Sequence, residues 1–89
     1  MKTPPVVYVE WVDSEASGSP WASIEEVKRS GKALVCYTTG YLIHESVEAV
    51  TIAHSFHLDE RGELAGVCSP MAIPRVAIIK LHKVPKGKR

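Results

Sequence analysis

The sequence predicts a mainly β protein: a small five-stranded barrel with one short helix and an extra N-terminal strand. Three observations predict it. Runs of β-branched and aromatic residues of strand length recur between turn residues, and a single short segment carries helix signals. Two apolar strand patterns then meet across Pro74, within residues 71–81, with a one-residue break in their alternation. Proline fixes φ and cannot donate to a sheet ladder, so Pro74 belongs at a bend or an edge. A sharp corner between two buried strands is what closes a small barrel.

The elements follow in order. Residues 6–12 (VVYVEWV) read as the first strand, ended by Asp13 and Ser14 and by a Ser/Gly/Pro-rich loop reaching Pro20. Ser23 followed three residues later by Glu26 matches a capping box, Glu25 and Arg29 stand at i,i+4, and Gly31 can supply a left-handed stop. This predicts a helix of about two turns with Ile24 and Val27 facing inward. Residues 33–43 form a long strand whose interior Gly40 marks a bend or a close approach of another backbone. A polar tip at 44–48 leads into an antiparallel return over 49–54. After a charged loop at 59–63, residues 66–73 and 78–84 supply the last two strands. Residues 85–89 offer no apolar side chain to bury and are expected to fray as a basic flexible tail after a single domain of residues 1–84.

With 89 residues, 45% of them hydrophobic and 24% charged, the chain fits one globular domain rather than a disordered or fibrous protein. It has no apolar run long enough to span a bilayer, and its start, MKTPP, does not open a signal peptide, so the expectation is a cytoplasmic protein with no membrane partner. Cys36 and Cys68 are too few for a disulfide scaffold and sit in apolar strand patterns, which predicts buried, reduced thiols. The net charge of +1 hides a dipole: Arg75, Lys80, Lys83, Lys86, Lys88 and Arg89 follow Pro74 with no acid among them, and all 10 acidic residues precede it.

Chemistry is sparse. The sequence contains no Gly-rich phosphate loop, nucleophile elbow or metal-hydrolase helix motif, so no catalytic residue is assigned and no enzyme is expected. His54 and His57, with His44 and the two cysteines elsewhere, raise a zinc site. Residues three apart on an extended strand point to opposite faces, and no Cys-x-x-Cys accompanies them, so neither a metal nor any other cofactor is assigned. Arg75 is the leading ligand contact, because the corner holds it and its guanidinium can fork onto phosphate or stack on a base. The alternative is a solvated charge or an ion pair between subunits. Lys80, Lys83 and Lys86 form an electrostatic footprint suited to nucleic acid, or a solubilising tail. Tyr41 can stack a base, as can Tyr37, Trp11, Trp21 and Phe56, in competition with the core. Tyr37 and Tyr41 share the strand face opposite Cys36 and Leu42, so one face is core and the other interface.

Gly40, Tyr41 and Leu42 in the bent strand, the return through Val50, Thr51 and Ile52, and the Ile73–Ile79 stretch joining the last two strands resemble the Sm-like family of small SH3-like barrels, and in particular small Sm-like proteins carried by phages. The resemblance covers about residues 22–84. It implies a closed cyclic homo-oligomer, RNA or single-stranded nucleic acid as ligand, phage origin and a place in the host cytoplasm. The chain departs from the family's pattern where RNA is read: the hairpin has Glu45, Ser46 and Glu48 in place of the usual Asp and Asn, and Pro74 and Arg75 stand where Arg-Gly is usual. In the family the helix normally comes first, which makes residues 6–12 an extra strand suited to covering a sheet edge. The competing expectation is a phage accessory factor that binds a host protein through the loop from Trp11 to Trp21 and the acidic N-terminal half, with no nucleic-acid role.

Overall fold

The computed structural model describes residues 3–14, 20–31 and 33–85. The loop at 15–19 and Lys86 with the rest of the basic tail lie outside the described residues. The elements are β1 (Val6–Asp13), α1 (Ile24–Ser30), β2 (Leu34–Glu45), β3 (Ala49–Ala53), β4 (Ser55–Leu58), β5 (Leu64–Cys68), β6 (Met71–Pro74), one 3-10 turn (Arg75–Ala77) and β7 (Ile78–Lys83). The fold is therefore mainly β with one short helix.

Five strands form an antiparallel sheet in the order β6-β3-β2-β1-β7, and β4 pairs with β5 in a separate two-stranded ribbon. β1 is not an extra strand at an edge. Val9 faces Thr38 of β2 on one side and Leu81 of β7 on the other, so the first strand lies inside the sheet. The physical reason is its content: Val7 and Val9 are fully buried, and such β-branched pairs suit a strand with neighbours on both sides. Nor is the sheet a closed barrel, since β6 and β7 are its two edges. Pro74 ends β6, and the 3-10 turn carries the chain into β7, so the proline corner stands where the alternation breaks.

The core consists of Val7, Val9, Leu42, Val50, Ile52 and Ile73, with Trp11, Met71, Ala77, Ile78 and Leu81 packed against it. Trp11 donates its indole N–H to Thr38 Oγ1 at 2.9 Å, which satisfies the one polar group it brings inward. β2 serves two partners in turn: Leu34 to Tyr41 pair with β1, and Tyr41 to Glu45 pair with β3, with a register shift between Leu42 and His44. Gly40 lies at the crossover. A Cβ there would stand 2.9 Å from the Ala53 carbonyl oxygen, so the close approach expected of this glycine is real.

β3 continues into β4 and β5 into β6, so one long hairpin is broken near its middle. His54 N donates to the Cys68 carbonyl at 3.0 Å, and Ser69 takes φ 53°, which splits the single strand expected over 66–73 into two. β4 itself was not expected. The tip is tied by Asp59, whose Oδ1 accepts from the N–H groups of Arg61 and Glu63 at 2.9 and 3.0 Å, with Gly62 at φ 79° completing the turn. The molecule measures 57 × 25 × 25 Å.

Ser23 caps α1, accepting from the Glu26 N–H at 3.1 Å. Two expectations for this helix fail. Gly31 has φ −77° rather than a left-handed conformation, and Ile24 and Val27 are 70% and 51% exposed, since α1 packs extensively on no other described element. The thiols also differ from expectation: both are free, but Cys36 is half-buried and Cys68 exposed, since an apolar strand pattern does not say which face another layer covers.

Candidate nucleic-acid interface

Alternation fixes which side chains face away from the core. Val7 and Val9 point inward, so Tyr8 and Glu10 point outward from β1. Residues directly opposite share a face, and Tyr8 lies opposite Thr39 of β2 and His82 of β7, while Glu10 lies opposite Tyr37 and Lys80. The outer face of β2-β1-β7 thus presents a row of rings across three strands. Tyr8 stacks on Tyr37 with centroids 6.5 Å apart and planes at 27°, and meets His82 at 5.1 Å and 42°. Tyr37 is 64% exposed. The tyrosine face is therefore the open one and the Leu42 face the core, which resolves the choice that alternation left open.

The candidate residues divide between this face and other duties. Lys80 is exposed on it, directly across from Glu10 and beside the aromatic row. Lys83 is exposed near the end of β7, opposite Val7. Tyr41 is on the same side of β2 as Tyr37, but its ring packs edge-on against Phe56 of β4, centroids 4.8 Å apart at 84°. There it anchors the ribbon to the sheet. Of the other aromatics, Trp11 belongs to the core and Trp21 is 87% exposed.

Arg75 is neither free in solvent nor turned toward the aromatic row. Its Nε donates to the Ser46 carbonyl at 2.8 Å, its Nη2 meets Glu45 Oε1 at 3.1 Å, and its backbone N–H donates to the Glu48 carbonyl at 2.9 Å. These bonds clamp the proline corner to the β2–β3 turn. The ion pair is half exposed, so its worth is small. Arg75→Ala is expected to lower stability by about 1 kcal/mol in urea titration.

Tyr8 and His82 were missing from the residues singled out by sequence. Each sits in a plain alternating strand, and only the pairing of β1 with both β2 and β7 brings them beside Tyr37. A small, open pocket of about 130 Å³ lies where β2 parts from β3, lined by Gly40, Ile52, His54, Ser69 and Met71 among others. Among the described residues, no group of three His, Cys, Asp or Glu side chains gathers, and no helix is long and apolar enough to cross a membrane. Compared with protein-family models, curated proteins and solved structures, the chain matches none.

Proposed function

We propose that this chain is a non-catalytic Sm-like domain that binds RNA or other single-stranded nucleic acid on the outer face of β2-β1-β7. The observation that carries the reading is the row Tyr37, Tyr8 and His82 with Lys80 beside it. Bases have two π-faces and stack on exposed rings regardless of sequence, while a lysine beside such a face, here Lys80, takes a phosphate. The site therefore suits an unpaired strand better than a duplex, whose bases are already stacked. The bend in β2 and the tight turn at Pro74 support the Sm-like fold. The edges β6 and β7 support assembly into a ring, because unpaired edges invite pairing and a closed ring removes them.

A second reading, a protein-interaction module without a nucleic-acid role, is favoured by the exposed apolar residues Trp21, Ile24 and Val27. Titration of labelled oligouridine and oligoadenine at two salt concentrations separates the two. Binding that weakens with salt is expected, and Lys80→Ala should flatten the dependence of log K on log salt by about 0.7 if one phosphate contact is lost. No binding at low salt would end the nucleic-acid reading.

A further inference from the structure

Two parts of this chain present exposed apolar faces. β4 and β5 form a two-stranded ribbon, and a ribbon is marginally stable until another strand or a helix covers its apolar face. Phe56 lies opposite Val67, and the register shift between His57 and Leu58 brings Leu64 opposite Leu58, so these four side chains share one face. Phe56 is held against Tyr41, whereas Leu58, Leu64 and Val67 are still 38%, 39% and 36% exposed. α1 is the converse: Ile24 and Val27, one turn apart, form an exposed apolar stripe on a helix that packs extensively on no other element.

Charge sets how the two would meet. The tip of the ribbon carries Asp59, Glu60 and Glu63 against a single Arg61, while α1 has Glu25 and Glu26 in its first turn and Lys28 and Arg29 in its last. A helix laid along the ribbon with its last turn toward the tip places opposite charges together. The surface supports a partner of this size. The chain exposes 7113 Å², about 1,900 Å² more than a compact monomer of its length would. Its radius of gyration is 17.3 Å where about 12 Å is usual. A head-to-tail contact covers a patch of each kind on every copy and so draws on that excess twice.

We infer that α1 of one copy lies along the apolar face of the β4–β5 ribbon of a second copy, with Val27 over Leu58 and Leu64 and Ile24 toward Val67. The contact uses none of the side chains of the aromatic row and none of the residues of β6 or β7, so its test is separate from that of nucleic-acid binding and of edge pairing.

Site-directed crosslinking tests it. Chains with Cys36→Ser and Cys68→Ser, carrying either Val27→Cys or Leu58→Cys, are mixed and oxidised with diamide, each variant first checked for a folded sheet by circular dichroism. A bound pair meets at high effective concentration, so the mixed disulfide should form on the order of tenfold faster than in a mixture of Val27→Cys with Val47→Cys, a 91% exposed position on the β2–β3 turn. Adding Ile24→Glu to the Val27→Cys chain should abolish the difference. Equal rates in the two mixtures would overturn the inference. So would a chain carrying both Val27→Cys and Leu58→Cys that closes on itself as a monomer when dilute, because that would put the helix on its own ribbon.

Discussion

Ile73→Ala is expected to destabilise the domain by about 3 kcal/mol, the usual loss for truncating a fully buried isoleucine. The effect is large here because the core is small. Among the described residues, only Val7, Val9, Leu42, Val50, Ile52, Ala53 and Ile73 are buried, so each carries a large share of the apolar burial that offsets chain entropy. For a domain of this length, that loss lowers Tm by on the order of 15 °C in a calorimetric melt. Ile73 also pairs with Val50 at the β6 edge, so its loss loosens the strand that leads into the Pro74 corner. Val76→Ala makes the control: Val76 is 98% exposed on the 3-10 turn, and its truncation should change stability by less than about 0.5 kcal/mol. Equal effects at the two positions would mean that the β6–β3 layer is not the core.

Tyr37→Ala is expected to weaken single-stranded oligonucleotide binding by about 2 kcal/mol, or roughly 30-fold, as removal of a base-stacking ring does. Because Tyr37 is 64% exposed, its removal should leave the melt nearly unchanged, so affinity and stability separate cleanly. Tyr41→Ala should do the reverse. It removes the edge-on contact with Phe56, so it should cost roughly 1 kcal/mol of stability and leave affinity intact. If Tyr41→Ala abolished binding and Tyr37→Ala did not, the ligand would lie toward the β4–β5 ribbon rather than on the β2-β1-β7 face.

These contrasts show how far a strand pattern can be read. β1, α1, β2, β3 and β7 all lie close to where their composition puts them, because β-branched alternation and a serine cap are local signals. The break in β5–β6 was not legible. It depends on Ser69 at φ 53° and on the His54–Cys68 backbone bond, a pairing between segments far apart in sequence. β4 was missed for a similar reason: Ser55, Phe56, His57 and Leu58 form a strand only because residues 64–68 lie beside them. For α1 the local signals gave the helix, but nothing local reveals that its apolar stripe lacks a layer beneath it.

The candidate site shows the same division. That Tyr37 and Tyr41 share a face follows from a period of two, and that the last part of the chain is basic follows from counting. Which of the two tyrosines is open, and that Tyr8 and His82 join Tyr37 in one row, follow from β1 sitting between β2 and β7. Arg75 makes the point most sharply. Its fixed position at the corner was legible, but the Ser46 carbonyl and the Glu45 carboxylate that engage its guanidinium are supplied by a turn that the sheet brings to it.

By itself, then, the sequence determined the β class of this protein, the capped helix, the glycine at the crossing and the proline corner, because propensity, capping and fixed φ act over a few residues. Only the tertiary structure decided that the first strand lies inside the sheet, that the edges stay open, and which rings face outward. Those outcomes rest on pairing between distant strands, and strand pairing is governed by burial and register over the whole sheet rather than by any one segment.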